Sequence, residues 1–374
     1  MNSADLNLDF TEQAVFSLRS LYNRYGYIQY KMSKFEEYDL YARNKDFLIS
    51  DNVITFTDLN GKLMALKPDV TLSIVKNTAH RPSGLQKLYY NENVYRVSKG
   101  AQGFREIMQV GLEAIGQVDS YCISEVLQLA AKSLQCISAD AIVDVSHLGL
   151  LTELMEGMGI PQEETGRILQ YMGQKNLHQL SASCQALGVC DPDVAILAQL
   201  TTLSGPVRQV LPQVAQLFRG RVRECTLDGF LQILSALADT EEGTTLHIDF
   251  SVVGDLHYYN GIVFKGFILG LPTAVLSGGQ YDRLLSKMGR KDRAIGFALY
   301  MDMMERLVTS GREYDVDTVL LYDESADLKT LQTISAAFRE TGSVLALQKK
   351  PADLRYRRLL KLQGSEVVEL ENNP

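Results

Sequence analysis

The spacing of apolar residues changes along the chain. Near the start, Val15, Leu18, Leu21, Tyr22 and Tyr25 recur at helical spacing. Asp9 and Glu12 form a capping-box pair ahead of them, and Gly26 stands where such a helix would stop. A strand over 27–32 is expected next. Strand-like runs at 53–58 and 62–66 flank Asn60-Gly61, the signature of a tight hairpin. A short helix over 70–76, a strand pair at 87–97 and 104–115 around the small polar loop 98–103, and a helix over 120–135 follow. From 148 to 238 strand signals fade and leucines at helical spacing dominate, as in GLLTELMEGMGI and FLQILSALADT, which predicts a helical insertion. Strands return at 245–253, 261–267 and 273–277, and a helix is expected over 292–308. Beyond a linker at 311–315 the pattern is strand 316–322, helix 327–340, strand 344–348, helix 352–362 and strand 366–370. That is a small βαβαβ unit with parallel strands.

The expected division is therefore a core in two parts, 1–147 and 241–310, interrupted by a helical insertion, 148–240, and followed by a small α/β domain, 316–374. The class is α+β, with an antiparallel sheet at its centre. A chain of 374 residues has room for two or three domains, and no run approaches the ~20 apolar residues of a membrane-spanning helix. The first residues lack a basic stretch followed by an apolar one, so no signal peptide is expected. The five cysteines are an odd number without a CxxC pair, which suits free thiols in a reducing cytoplasm better than disulfides or a zinc site. A net charge of -8 argues against a chain whose main task is gripping a nucleic-acid backbone. Neither GxxxxGK[ST] nor GxGxxG after a strand is present, so the two commonest nucleotide loops are absent. No cofactor and no metal are expected.

Several residues are candidates for chemistry. Arg96 ends a predicted strand; its guanidinium offers paired planar donors with a permanent charge, although it also fits a plain exposed strand end. Gln109 and Glu113 are four apart on one strand and so share a face. A neutral acceptor beside a carboxylate could seat an ammonium group, or simply form the polar face of an antiparallel sheet. Tyr258 and Tyr259, ahead of Asn260-Gly261, could line a ligand pocket, since tyrosine combines an apolar wall with one hydroxyl. They also fit a turn with two core tyrosines. The loop Gly278-Gly279-Gln280-Tyr281-Asp282 would allow close backbone approach and bring Tyr281 to a ligand.

Two long stretches carry a resemblance. LMALKPDVTLSIVKN with KLYYNENVYRVSKGAQGFREIMQVGLEAIG, and HIDFSVVGDLHYYNGIVFKG with VLSGGQYDRLLSKMGRKDRAIGFALYMDMMERL, resemble the class II aminoacyl-tRNA synthetase core, and within it the histidyl branch. The ordered match spans about residues 10 to 308. The resemblance implies that Asp69, Thr71, Gln109 and Glu113 hold the amino and imidazole groups of histidine. It implies that Tyr258, Tyr259 and Tyr281 line the imidazole pocket, and that Arg96 meets the substrate carboxylate and α-phosphate.

The departures matter as much. Where the enzymes carry an arginine after the strand motif, this chain has Gly254. In the last motif, Gly296-Phe297-Ala298-Leu299-Tyr300-Met301-Asp302-Met303, the ATP-clamping arginine falls on Met303 and a glycine position on Tyr300; Arg306 stands three residues on. Ser98 replaces a glutamate, and Lys67-Pro68-Asp69 replaces Arg-Pro-Glu. Adenylate formation spreads charge over phosphate oxygens, and one lost stabiliser costs ~10²–10³ in rate. A pocket that keeps amino-acid contacts and loses nucleotide contacts is similar to the synthetase-like regulatory family of ATP phosphoribosyltransferase. That resemblance implies a non-catalytic chain with a short-form ATP phosphoribosyltransferase catalytic subunit as partner and histidine as effector. It also implies a homodimer within a hetero-oligomer, up to a hetero-octamer, with no membrane and no tRNA as partner. A working histidyl-tRNA synthetase with displaced arginines, and an amino-acid- or tRNA-binding control module, are the alternatives. The basic run Arg355, Arg357, Arg358 and Lys361, on the expected last helix, is either a remnant RNA surface or a solvated face.

Overall fold

The structure, a computed structural model, describes residues 9–48, 53–78, 84–97, 103–254, 256, 258–307 and 314–373. It forms two compact units, 1–307 and 308–374.

The first unit begins with α1 (Phe10–Arg24). Asp9 Oδ1 accepts from the Glu12 amide at 2.8 Å and Glu12 Oε2 accepts from the Asp9 amide at 2.9 Å, so the capping box closes. Gly26, at φ +80°, turns the chain out of the helix and into β1 (Ile28–Gln29). Next come β2 (Phe35–Glu37), α2 (Tyr38–Arg43), a 3₁₀ turn at Lys45–Phe47, β3 (Thr55–Thr57) and β4 (Leu63–Leu66). These strands make a small sheet in the order β2-β4-β3, and the hairpin is tied by Asp58 Oδ1, which accepts from the Asn60 and Lys62 amides at 2.8 Å. After α3 (Thr71–Asn77), β5 (Leu85–Val97) and β6 (Phe104–Gly116) form a long antiparallel pair. Of the loop joining them, 98–102 lie outside the described residues, and Ser98 with them.

The rest of this unit runs α4 (Ser120–Gln135), β7 (Ala141–His147), α5 (Leu148–Gly157), α6 (Gln162–Gly173), α7 (Leu177–Ala186), α8 (Asp191–Thr202), β8 (Ser204–Pro206), α9 (Val207–Phe218), α10 (Glu224–Ala238), β9 (Leu246–Asp249), β10 (Ile262–Ile268), β11 (Leu276–Gln280), α11 (Asp282–Lys287) and β12 (Arg293–Tyr300). Nine strands build one sheet in the order β1-β5-β6-β12-β11-β10-β7-β9-β8. All neighbours are antiparallel except β1·β5 and β7·β9. This is the α+β, mainly antiparallel core expected from the sequence, with helices α5–α10 inserted between β7 and β9. One face of the sheet packs into the main core through residues such as Leu112, Val145, Phe264, Leu276 and Phe297, against α1, α4 and the inserted helices. The other face carries Tyr90, Ile115, α3 and the small sheet.

Two expected helices are corrections. Of the expected helix 292–308, Arg293–Tyr300 is the strand β12 and Met301–Leu307 a 3₁₀ turn, and 308 lies outside the described residues. Residues 352–362 contribute to a strand as well: the second unit is β13 (Val316–Leu321), α12 (Leu328–Arg339), β14 (Val344–Leu347), β15 (Tyr356–Gln363) and β16 (Glu366–Asn372). The order is β14-β13-β15-β16, with β13 parallel to both neighbours and β15·β16 a hairpin, so the unit is βαβββ rather than βαβαβ. β12 is an interior strand buried on both sides, so alternation is lost; in β15 a bulge between Leu359 and Leu360 breaks the alternation. In β15, Leu359 enters one apolar cluster while Leu360 and Leu362 enter another with Leu331, Ile334 and Phe338 of α12. Tyr356, Leu359 and Leu360 thereby mimic a helical i, i+3, i+4 stripe. Arg357, Arg358 and Lys361 lie on this strand, and Arg355 just before it. Part of the expected linker, 311–313, lies outside the described residues.

Candidate functional site

The pocket lies on the second face of the large sheet. Paired residues across antiparallel strands share a face, and the register sets two rows: Lys265, Ser277 and Ala298 on β10, β11 and β12, and Val263, Gly279, Gly296 and Glu113 one step along, reaching β6. A cavity of about 230 Å³ opens over them. Its lining includes all eight residues singled out from the sequence: Asp69, Thr71, Arg96, Gln109, Glu113, Tyr258, Tyr259 and Tyr281.

Glu113 is the hub. It is buried on β6; Oε1 accepts from Thr71 Oγ1 at 2.7 Å and Oε2 from the Tyr281 hydroxyl at 2.6 Å. Gly296 lies under it: a Cβ there would fall 1.8 Å from Glu113 Oε2, so only glycine lets the carboxylate lie flat on the sheet. Burial pushes the Glu113 carboxyl up to about 8, with the nearby Asp69 raising it and the two hydroxyls holding it down. Asp69 is raised by burial and lowered by the Arg96 guanidinium and the Leu72 amide, which donates to its Oδ1 at 3.0 Å. Arg96 is already committed: Nε donates to the Pro68 carbonyl at 2.8 Å and an Nη lies 3.8 Å from Asp69. Two buried carboxyls with one tethered guanidinium leave this end short of positive charge, which an incoming ammonium or imidazolium would supply.

The aromatic wall is Phe47, Tyr258, Tyr259 and Tyr281, with ring centroids 4.7 Å apart for Tyr258–Tyr259, 5.8 Å for Tyr258–Tyr281 and 6.2 Å for Phe47–Tyr258. Burial raises the hydroxyl pKa of all three tyrosines, so they stay neutral donors. The segment carrying Tyr258 and Tyr259 is laced to the glycine loop. The Asn260 amide donates to the Gln280 carbonyl at 3.1 Å, Ile262 N donates to Gln280 Oε1 at 2.8 Å, and Asp282 N donates to Asn260 Oδ1 at 2.9 Å.

Gly254 also lines the cavity, but a Cβ there would meet Tyr259 Cδ2 at 2.7 Å. The tyrosine ring has taken the space in which an arginine would start. Met303 is not in the lining; it is half-buried against the main core, on the 3₁₀ turn. The Arg306 side chain lies outside the described residues. Lys67 is fully buried and pairs with Glu92 at 2.5 Å, away from the cavity lining. Tyr300 also lines the cavity. Among the described residues, no cluster of His, Cys, Asp and Glu is placed to hold a metal ion, and no helix is long and apolar enough to cross a membrane.

Sequence reading missed Lys265, Ser277, Phe47 and Tyr90, all in the lining. Lys265 had a signal: it is the one charged residue in IVFKGFI, an otherwise apolar strand. Phe47 had none, since it arrives from a distant turn.

The family model described as histidyl-tRNA synthetase matches residues 7–304. An ATP phosphoribosyltransferase regulatory subunit from Alkaliphilus metalliredigens is 28% identical over 294 residues, 77% of this chain and 74% of that protein. Among solved structures, one described as an ATP phosphoribosyltransferase regulatory subunit/histidyl-tRNA synthetase from Bacillus halodurans superposes with a TM-score of 0.76 at 22% identity, covering 94% of this chain and 93% of that one. A chain of an ATP phosphoribosyl transferase complex from Thermotoga maritima superposes with a TM-score of 0.61 at 18% identity, covering 78% and 97%. At these identities the two structures speak for the fold alone.

Proposed function

The chain belongs to the histidyl-tRNA synthetase family, and from that premise we propose that it is the histidine-responsive, non-catalytic regulatory subunit of an ATP phosphoribosyltransferase, the first enzyme of histidine biosynthesis. The relative named above supports this reading by its own name. The observation that carries it is the state of the cavity. Asp69, Thr71, Gln109, Glu113 and the three tyrosines line one cavity and would seat the amino and imidazole groups of an amino acid, while the Tyr259 ring stands where a side chain at position 254 would start.

The partner would be a short-form catalytic subunit that joins ATP to phosphoribosyl pyrophosphate. Histidine in the cavity would shift the complex toward its less active state, which requires that histidine bind that state more tightly. The test is an assay of the catalytic subunit alone and with this chain, with and without histidine, beside ATP–pyrophosphate exchange by this chain alone. Activation by the chain, inhibition by histidine only in its presence, and no exchange are expected. Histidine-dependent exchange at a synthetase's rate would overturn the reading.

A further inference from the structure

Beyond the seat for the ammonium and imidazole, the cavity has a second charged end. Lys265 lies on β10, half-buried, in the cavity lining beside Ser277, its cross-strand partner on β11. No hydrogen bond or ion pair holds its ammonium among the described residues. Its partner on the other side, Asp144 of β7, is the nearest carboxylate by register, yet the two form no ion pair. The Asp144 carboxyl is pushed up to about 6 by burial and by Asp249, with Lys175 as its only cationic relief. Lys175 sits 2.9 Å from Asp249, on the far side. A lysine that ignores an adjacent carboxylate and lines a cavity is available to an anion there.

Its place bears on which anion. A Cβ at Gly254 would lie 3.4 Å from Cγ1 of Val263, and Val263 and Lys265, two apart on β10, share a face. Lys265 thus emerges next to the position that lacks an arginine. The other cation of the cavity, Arg96, is held by Pro68 and Asp69.

We propose that Lys265 is the carboxylate anchor of this cavity, taking over on a neighbouring strand the charge that Gly254 cannot supply. The inference rests on the amino-acid reading of the site. It divides the ligand between two ends: cationic groups toward Glu113 and Asp69, carboxylate toward Lys265. Specificity for a free α-amino acid, rather than for its amine or alcohol relatives, then comes from one ammonium group.

Calorimetry of the full chain with histidine, histidinol and ATP tests this, on the native protein, Lys265→Met and Lys265→Arg. Histidinol keeps the ammonium and imidazole and lacks the carboxylate. Native protein should prefer histidine by about 10- to 100-fold, the range for a hydrogen bond between charged groups. Lys265→Met should abolish that preference while leaving histidinol affinity unchanged, which also shows that the variant folds; Lys265→Arg should retain most of it. A preference that survives Lys265→Met overturns the anchor and leaves the histidine site standing. Native protein that binds neither ligand overturns the site as well. ATP binding that Lys265→Met weakens would make Lys265 a phosphate group's partner and overturn the carboxylate assignment.

Discussion

The two sides of β6 do opposite work. On one, Val110, Leu112 and Ala114 are buried in the main core. On the other, Gln109 and Glu113 face the cavity, and Glu113 is as inaccessible as its apolar neighbours. The first side stabilises the fold by removing apolar surface from water. The second costs stability, because burying a carboxyl disfavours its charged form. A ligand that brings positive charge recovers part of that cost, and ligand binding stabilises the folded state accordingly. Fold and function are therefore separable along a single strand.

The largest effect should come from the core side. Leu112→Ala should lower unfolding free energy by about 2–5 kcal/mol, read from denaturant midpoints, with histidine affinity of the folded protein little changed. Glu113→Gln should do the reverse. Histidine affinity should fall about 10- to 100-fold, while stability near pH 8 holds or rises. If Leu112→Ala cost as much affinity as Glu113→Gln, the two faces would not be separable.

Gly254→Ala should have a smaller effect, about 1–3 kcal/mol of overpacking, because its new methyl meets the Tyr259 ring. The comparison sharpens in a Tyr259→Ala background, where the same change should become neutral or mildly stabilising, since an alanine restricts the unfolded chain. A cost that persists without the ring would show that something other than Tyr259 fills the vacated place.

How legible this was depended on packing. α1 announced itself through Asp9, Glu12 and Gly26, and the β3–β4 hairpin through Asn60-Gly61, because caps and turns are local chemistry. The cavity residues came from distant segments, yet their motifs could be placed in advance, and the fold brings all eight into one lining. The strands that did not read as strands are β12, where burial on both faces erases the alternation, and β15, where a bulge at Leu359–Leu360 interrupts it. Lys265 was passed over for a related reason: its meaning depends on β11 and on the gap at Gly254, neither of which is near it in sequence.

The smallest effect is a pH dependence, and it sets the pocket against the helical insertion. His147 caps α5, its Nδ1 accepting from the Leu150 amide at 3.1 Å, and burial pushes it down to about 4 from 6.5. Between pH 4 and 6.5 the unfolded chain binds more protons at this residue, so its contribution to stability is lost as pH falls through that window. Glu113 runs the other way. Its carboxyl sits at about 8 against 4.5, the folded state binds more protons, and stability is lost as pH rises from 4.5 to 8. From 4.5 to 6.5 the two oppose each other. From 6.5 to 8 Glu113, and not His147, contributes, with a decline on the order of 1 kcal/mol per pH unit. Glu113→Gln should flatten that upper decline. His147→Asn, which keeps a capping side chain, should remove only the lower-pH loss. Saturating histidine should also flatten the upper decline, because a bound cation favours the ionised carboxylate. If thermal melts from pH 6.5 to 8 kept the same slope with and without histidine, the ligand would not be meeting Glu113, and the charge division assigned to the cavity would fail at its acidic end.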